Sequence, residues 1–271
     1  MNLDELSVLI CNKNSLKLLK KSIPVYKKSK FKELIVVDGN STDGSLEYLK
    51  EQEIKIITDS GNGLSYSRKL AVENANGKIF LIAGPDDICS HLFLKDSLKN
   101  FITLKYDAAT VGLKIFNPLT YWDHSLNLWF LYIKRKGAAQ VIGTPTFFKK
   151  EIFDHIQYDP NTIGCDDTDI SEKLIKNNFK FGVLGTFADQ INQNNFDDIK
   201  KKFTLYGISD KNYYLYKNIK INFSNLFSTL IHPLKHFFKF SIFLLSRKKF
   251  NILPFIFIIT FYRYSGLFKK N

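Results

Sequence analysis

Cysteine is scarce in this chain, and its last acidic residue is Asp210. Three cysteines, an odd number without a Cys-x-x-Cys pair in 271 residues, argue against a disulfide framework and a zinc site. They favour a reducing compartment instead. Asp4 and Glu5 precede the first apolar run, which is atypical of a secretory signal. We therefore expect a cytoplasmic protein.

The net charge of +13 is concentrated in the C-terminal tail. Of the 39 Lys and Arg residues, 11 lie beyond Asp210, which leaves 28 basic and 26 acidic residues in 1–210. The body of the protein is therefore almost neutral. A nucleic-acid-binding protein more often carries its positive charge over the folded body, so we expect no nucleic-acid partner.

The tail is also apolar and aromatic. Two apolar runs, at 237–245 and 252–262, flank a basic cluster at 247–249. Neither run reaches the ~20 apolar residues that a membrane-spanning helix needs. Apolar faces interleaved with Lys and Arg are typical of helices that lie in the interface of an anionic leaflet. The alternative is a core helix followed by a loose basic end.

Apolar runs alternate with helical stretches in the rest of the chain, which is the pattern of a parallel sheet built from βα units. Strands are predicted at 6–11, 34–37, 54–57, 79–85, 108–116 and 137–142, and helices at 15–26, 63–74 and 168–176. We predict an α/β catalytic domain over 1–206, with a mostly parallel central sheet flanked by helices. Residues 207–271 are predicted to form a helical, basic extension at the inner face of the cell membrane.

Polar residues follow three of these strands. Asn12, Asp38 and Asp86 lie at or just past strand ends, where open parallel sheets bind their ligands, so we expect them to share one crevice. Asp86 and Asp87 are adjacent carboxylates, which repel unless a cation neutralises them. Their hard oxygens suit Mg²⁺ or Mn²⁺. The alternative is a solvated turn before a helix that starts near Ser90.

Four segments, in order along the chain, resemble the signatures of a known family. They are SVLICNKN at 7–14, VVDGNSTDGS at 36–45, GKIFLIAGPDD at 77–87 and GCDDTDI at 164–170. Together they resemble family-2 glycosyltransferases of the GT-A fold, of the type that builds bacterial cell-surface polysaccharides. The resemblance covers roughly residues 5–185 and implies a Rossmann-like domain that binds a nucleotide-sugar donor.

On the donor side, the resemblance implies roles for four residues. Asp38 would accept a hydrogen bond from the nucleotide base, with Asn12 in the same pocket. Asp59 and Arg68 would line the donor pocket, with Arg68 facing the diphosphate. Asp38 is also a good turn residue beside a glycine, and Arg68 has the alternative interpretation of a solvated helix charge.

The resemblance also implies a metal ion, Mn²⁺ or Mg²⁺. Asp86 would hold it with help from Asp87, and Asp86 would thereby contact the nucleotide. The family motif usually has another acid in front of these two, and Gly84 stands in its place. That replacement weakens any predicted contact with the ribose.

On the acceptor side, Asp167 matches the catalytic base of the family, and Asp166 and Asp169 flank it. Acids at a helix N-terminus are favoured by the helix dipole in any case, which is the alternative explanation. Further acceptor-side residues are Thr144, where related sequences often have His, and Asp166. Trp122 and His124 belong to an aromatic segment that could stack on a sugar or form part of the core.

The implied reaction is transfer of a sugar, with inversion, from a UDP-sugar or similar donor. The acceptor would be a hydroxyl on a lipid-linked saccharide. A sugar nucleotidyltransferase is one alternative, although the sequence at 11–14 is not the Gly-rich basic loop that such enzymes use. A non-catalytic membrane-surface module is the other, and in that case the acids would be incidental.

Overall fold

The computed structural model describes residues 3–139, 141–191, 195–217 and 223–269. It divides into two compact units. The first, which we call the sheet unit, comprises Met1–Phe116, Lys134–Asn161 and Asp166–Ile191. The second, the helical unit, comprises Asn117–Ile133, Thr162–Cys165 and Asn192–Asn271.

The sheet unit is built on one mixed sheet. Its strands are β1 Leu6–Asn12, β2 Glu33–Asp38, β3 Lys55–Thr58, β4 Ile79–Ala83, β5 Asp87–Ile88, β6 Ala108–Ile115, β7 Gly137–Ala138, β8 Thr146–Lys149 and β9 Phe181–Gln190. The strand order is β3-β2-β1-β4-β8-β6-β9-β5, and β7 pairs with β9. Strands β1 to β4 pair in parallel, as predicted. Strands β1 and β4 are buried along their whole length, which explains their mostly apolar sequence.

The second half of the sheet differs from the sequence prediction. Strand β8 lies antiparallel between β4 and β6, and neither β8 nor the long β9 was predicted. The run predicted at 137–142 forms a strand only at β7, and residue 140 lies outside the described part of the chain. Just beyond this run, the Gly143 and Thr144 carbonyls accept hydrogen bonds from Lys134 Nζ. These two carbonyls therefore bind a side chain.

Helices flank the sheet. They are α1 Leu16–Lys27, α2 Ser45–Lys50, α3 Leu64–Glu73, α4 His91–Thr103 and α6 Asp166–Lys176; helix α5, Tyr121–Ile133, belongs to the helical unit. Ser90 caps α4 by accepting a hydrogen bond from the Phe93 N–H. Helix α3 packs against β1 and β2, and the core beneath it includes Leu9, Phe80 and Phe148. The apolar faces of the helices therefore cover the buried strands and hold the strand ends in place.

The helical unit consists of α5 Tyr121–Ile133, α7 Phe196–Tyr216, α8 Phe223–Ser246 and α9 Leu253–Leu267, with a 3₁₀ turn at Phe250–Ile252. Helices α7 and α9 pack closely, and α5 contributes Trp129 to an aromatic core with Phe203 and Phe240. The sequence boundary between residues 206 and 207 falls inside α7. The division into a catalytic domain and a membrane-surface extension stays a prediction.

One stretch in the described part of the chain is long and apolar enough to cross a membrane by length and composition. It is Phe250–Leu267, with 18 residues, a mean hydropathy of 1.3 and 28% of its residues buried inside the protein. The sequence prediction that no tail run is long enough counted only the uninterrupted apolar residues. The helix, however, continues through Arg263 to Leu267.

Candidate active site

The ends of β1 and β2 carry a buried polar network. Asn12 Nδ2 donates to Asp38 Oδ2 (2.7 Å), and Ser41 donates to the same carboxylate through its N–H (2.8 Å) and its hydroxyl (2.7 Å). Asn12 pairs with Asp38 in the strand register, so the parallel sheet brings the two together. Asn12 Oδ1 is buried and accepts no hydrogen bond from the described residues. The predicted neighbourhood of Asn12 and Asp38 is therefore observed, while their roles stay predictions.

Asp59 and Arg68 lie beside this network. The Asp59 N–H donates to the Asp38 carbonyl (3.0 Å), and the Asp59 side chain accepts from the Gly61 N–H (2.7 Å) and from the Ser67 hydroxyl. Burial raises the pKa of Cys11 to about 12; the Arg68 cation lowers it and the Asp59 charge raises it. The thiol at the end of β1 thus lies close to both charges, and the predicted donor-side residues are neighbours.

Asp86 and Asp87 leave the same edge of the sheet, because Ala83 at the end of β4 pairs with Ile10 on β1. Asp86 is half-buried, and its carboxylate lies against Gly84, where a Cβ would overlap it. Because Gly84 stands where the family motif has an acid, no side chain fills this space and the Asp86 carboxylate occupies it. Asp87 is buried and accepts from the Gly84 N–H (2.8 Å).

The electrostatics of this turn favour a cation. Burial, and then the neighbouring Asp86 charge, raise the pKa of Asp87 to about 7, although the Gly84 N–H, Lys134 and Gln190 oppose the shift. A divalent ion at Asp86 would relieve this repulsion. Within the described ranges, no group of three or more His, Cys, Asp or Glu side chains gathers as a metal cluster. Mg²⁺ and Mn²⁺ sites commonly use one or two carboxylates plus water and phosphate oxygens, so these residues fit such an ion.

The three acids at the start of α6 have different surroundings. Asp166 is buried and pairs with Arg68, and Asp169 is buried and pairs with Lys173 (2.6 Å). Asp167 pairs with Arg68 Nη1 through Oδ1 (2.7 Å), yet 43% of its side chain is exposed. Of the three, Asp167 is therefore the carboxylate that a substrate in solution can reach.

The segment before the Thr144–Pro145 bond lies against Asp167. The Ser171 hydroxyl donates to the Asp167 carbonyl (2.6 Å) and accepts from the Ile142 N–H (3.0 Å). Lys134 Nζ donates to the Gly143 carbonyl (3.1 Å) and to the Thr144 carbonyl (2.7 Å). Thr144 is thus held near the predicted base, in the same unit.

The other two predicted acceptor-side residues belong to the helical unit. Trp122 and His124 lie on α5. Trp122 is half-buried and its ring packs on Phe196 (5.2 Å between centroids) and Phe255 (6.5 Å), while His124 is exposed. These contacts give Trp122 a packing role within its own unit, and the predicted contact with an acceptor stays a prediction.

The match to a known family decides the classification. The sequence pattern of glycosyl transferase family 2 matches residues 7–156, more than half of the 271 residues. The chain belongs to glycosyl transferase family 2. The family-2 match covers β1 to β8, and therefore Asn12, Asp38, Asp59, Arg68 and the Asp86 turn.

Relatives of this family-2 chain extend the comparison. A protein of Methanococcus voltae, dolichyl N-acetyl-alpha-D-glucosaminyl phosphate 3-beta-D-2,3-diacetamido-2,3-dideoxy-beta-D-glucuronosyltransferase, is 31% identical over 80 residues. That alignment covers 27% of this chain and 25% of the relative, so the chain spans about a quarter of the relative's length.

Two solved structures share the fold. Mannosyltransferase PcManGT from Pyrobaculum calidifontis, in complex with GDP-Man and Mn²⁺, has a TM-score of 0.66 at 13% identity, over 98% of this chain and 88% of that one. S. aureus TarS 1–349 in complex with UDP has a TM-score of 0.56 at 15% identity, over 97% and 89%. The predicted α/β fold with a mostly parallel, helix-flanked sheet is confirmed.

Sequence reasoning missed three residues that hold the family-2 site together. Lys134 binds the turn at Thr144, Ser171 ties Asp167 to Ile142, and the Tyr158 ring lies 5.8 Å from the Arg68 guanidinium carbon. None of them has a local motif, because each acts on residues distant in sequence. Gln190, which donates to Asp87 (3.4 Å), ends a strand as Asp38 does, and that was a usable signal.

Proposed function

We propose that this chain transfers a sugar from a nucleotide-diphosphate sugar to an acceptor hydroxyl, with inversion at the anomeric carbon. The observation that supports this most is the ion pair between Arg68 and Asp167. Arg68 follows the nucleotide-side segments, and Asp167 begins the helix predicted to carry the base. Two residues separated by 99 positions thus meet at one place in the sheet unit.

The donor nucleotide would bind at the ends of β1 and β2. The Asp38 carboxylate, which is buried and already accepts hydrogen bonds from Asn12 and Ser41, would accept a further one from a ring N–H of the base. UDP-sugars are the first donors to test. TarS was solved with UDP and PcManGT with GDP-Man, so guanosine donors belong in the same screen.

Asp86 is the carboxylate that would hold Mg²⁺ or Mn²⁺. When bound there, the ion supplies neutralisation of the negative charge on the departing diphosphate. Asp87 supports Asp86 by holding the turn in place. The Gly84 N–H and Gln190 both donate to the buried Asp87 carboxylate.

Asp167 would act as the general base. Its exposed carboxylate would take the proton of the acceptor hydroxyl while that oxygen attacks the anomeric carbon opposite the diphosphate. No covalent intermediate with the protein is needed. General-base assistance contributes roughly 10²–10⁴-fold to a rate, and positioning with charge stabilisation supplies the rest.

The test is Asp167→Asn, which keeps the shape of the side chain and removes the base. We expect release of nucleoside diphosphate from the donor to fall by about 10²-fold or more. Binding of UDP or GDP with Mn²⁺, measured by calorimetry, should stay within about threefold. Glu172→Gln, an acid-to-amide change on the same helix, is the matched control and should leave both unchanged.

Three outcomes would overturn this proposal in whole or in part. Unchanged turnover in Asp167→Asn would remove the base assignment. Formation of a nucleotide-sugar and pyrophosphate from a nucleoside triphosphate and a sugar phosphate would identify a nucleotidyltransferase instead. No binding of any nucleotide, together with intact membrane association, would leave the non-catalytic module.

For the acceptor, we propose a lipid-linked saccharide at the cytoplasmic face of the membrane. The M. voltae relative is named for dolichyl N-acetyl-alpha-D-glucosaminyl phosphate, which is a lipid-linked sugar. Helix α8 supports the membrane location because it is apolar on two opposite sides. One side is buried in the helical unit and includes Phe240 and Leu244, whereas the other exposes Leu234, Phe238, Ile242 and Leu245.

Helix α9 has a matching exposed stripe. Phe257 and Phe261, 62% and 66% exposed, follow each other at helical spacing, and Phe257 packs on Phe237 of α8 (4.9 Å). The two exposed stripes therefore adjoin. Basic residues accompany them, with no acidic residue after Asp210, so the charge is complementary to an anionic leaflet.

The helical unit would lie in the interface and not cross the bilayer. Arg263 lies inside the candidate span Phe250–Leu267 and forms a bidentate ion pair with Asp210 of α7. Its Nε donates to Oδ2 (2.7 Å) and its Nη2 to Oδ1 (2.9 Å). Charged residues are costly in the hydrocarbon core. Helix α7 carries acidic and basic residues along its length, so α9 is tied to a polar helix that belongs in water.

Flotation with vesicles tests this location. We expect the whole chain to float with phosphatidylcholine vesicles that contain an anionic phospholipid, and Phe257→Glu with Phe261→Glu to abolish flotation. Lys248→Gln with Lys249→Gln should weaken partition roughly fivefold for each lysine, since each contributes about 1 kcal/mol. Phe116→Glu, an exposed Phe of the sheet unit, is the control. Equal flotation of all variants, or none by the unaltered chain, would refute the location.

A further inference from the structure

The Asp167 carboxylate is held differently at its two oxygens. Oδ1 accepts from Arg68 Nη1 at 2.7 Å. Oδ2 faces Gly143, where a Cβ would lie 2.9 Å from Oδ2 and 3.6 Å from the Asp167 Cγ. Apart from chain neighbours, no other atom of the described residues lies within 4 Å of that Cβ position. The Asp167 carboxylate therefore has room at this position only because Gly143 carries no side chain.

Arg68 is fixed on its other sides. Its guanidinium also pairs with the buried Asp166 and lies over the Tyr158 ring, and only 7% of its side chain is exposed. Nearby anions, with Asp167 the foremost, raise the Arg68 pKa although burial opposes them. An arginine held by two carboxylates and a ring has little freedom to swing towards a diphosphate.

We propose that Arg68 and Gly143 are positioning residues for Asp167. Arg68 anchors Oδ1, and Gly143 leaves open the volume in which Oδ2 meets the acceptor hydroxyl. The backbone link through Ser171, from the Asp167 carbonyl to the Ile142 N–H, keeps these two sides in register. This assignment rests on the proposed role of Asp167 as base, and it replaces the expected contact between Arg68 and the donor diphosphate.

Gly143→Ala is the first test, because it perturbs one carboxylate. The φ angle of Gly143 is not in the left-handed region, so the backbone accepts alanine. The added methyl group pushes Asp167 Oδ2 by a few tenths of an ångström or turns the carboxylate. We expect nucleoside diphosphate release from the donor to fall about 10- to 100-fold in kcat. The donor KM and the Kd of UDP or GDP with Mn²⁺ should change less than threefold.

Gly185→Ala is the matched control. The three atoms nearest to its Cβ position belong to the flexible Lys136 side chain, the first 3.1 Å away, and its backbone is likewise outside the left-handed region. We expect wild-type kcat and nucleotide binding from this variant. A Gly143→Ala enzyme with wild-type kcat would overturn the role of Gly143.

Arg68→Lys and Arg68→Met test the other oxygen. Both should lower kcat, Met about tenfold more than Lys because the lysine cation can still reach a carboxylate, and both should keep nucleotide affinity. The donor KM should stay within about threefold in both variants while kcat falls, and Lys should recover about tenfold in kcat over Met. A merely structural role would lower the melting temperature without this split between kcat and KM.

Removing one partner of a buried ion pair can unfold a protein, so circular dichroism and a melting curve accompany each variant. If Arg68→Met does not fold, Arg68→Lys and Gly143→Ala decide the question. A more than tenfold loss of UDP or GDP affinity in folded Arg68 variants would overturn the inference and restore the diphosphate role. Loss of turnover in Asp167→Asn, with normal kcat in Gly143→Ala and Arg68→Lys, would refute this inference alone. Normal turnover in Asp167→Asn would refute the base itself.

Discussion

Helices α7 and α9 cross at two glycines, where an added methyl group should lower the stability of the protein. Gly207 on α7 and Gly266 on α9 are both buried at this crossing. A Cβ on Gly207 would overlap the Arg263 carbonyl oxygen and lie 2.7 Å from the Leu267 nitrogen. A Cβ on Gly266 would overlap the Thr204 carbonyl oxygen and lie 3.0 Å from the Ile208 nitrogen. Backbone atoms cannot rotate away, so the helices must separate.

Alanine at Gly207 should therefore lower the stability of the protein, whereas this substitution inside a helix usually raises it. Alanine in place of glycine in a helix interior ordinarily stabilises by about 1 kcal/mol. Overpacking in a closed interior costs about 1–3 kcal/mol, and backbone contacts lie at or above the upper end. We expect Gly207→Ala to destabilise by about 2 kcal/mol net. At roughly 2–4 °C per kcal/mol, the Tm should fall by roughly 4–8 °C.

A far-UV circular dichroism melt measures this shift, with urea unfolding as an independent check. Lys201→Ala, at an exposed position on α7, is the control and should change the Tm by about 1 °C or less. An unchanged or higher Tm for Gly207→Ala would show that the helices do not approach as closely as described.

Two further predictions concern pH and nucleotide binding. Burial and the nearby Arg263 and His232 lower the pKa of His236 to about 4. The folded chain therefore protonates His236 at a lower pH than the unfolded chain does. Stability should then fall as pH drops from about 6.5 to about 4, and His236→Gln should flatten the change in Tm between pH 7 and 5; an unaltered slope would exclude His236 as its source. Asp38→Ala should raise the Kd of UDP or GDP roughly 10- to 100-fold, because one charged hydrogen bond to the base is lost. Calorimetry measures this change, with Glu47→Ala as the control. Equal affinities of Asp38→Ala and the unaltered chain would contradict the prediction.

The strand ends were predictable from the sequence because their cause is local. The apolar runs of β1, β2 and β4 indicate burial on both faces, and the first polar residues after the runs mark where these strands end. That reasoning located Asn12, Asp38 and the turn at Asp86 and Asp87. The positions were therefore set by the alternation of apolar and polar residues.

The second half of the sheet was not predictable in the same way. Strand β8 has only four residues, and its antiparallel place between β4 and β6 depends on partners about 65 and 40 positions away. Strand β9 contains Gly182 and Gly185, and polar residues interrupt its second half, so it lacks a continuous apolar run. Pairing between distant segments decided both strands.

The chain itself determined which residue types could do chemistry: paired carboxylates after a buried strand, acids at a helix start, and a cationic aromatic tail. The resemblance singled out Asp167 from Asp166 and Asp169, but the residue pattern alone gave all three the same place at a helix start. Tertiary structure added the difference in solvent access: all three carboxylates pair with Arg68 or Lys173, yet only Asp167 is substantially exposed. Solvent access and ion pairing depend on what the rest of the chain brings alongside, and a linear pattern does not contain that information.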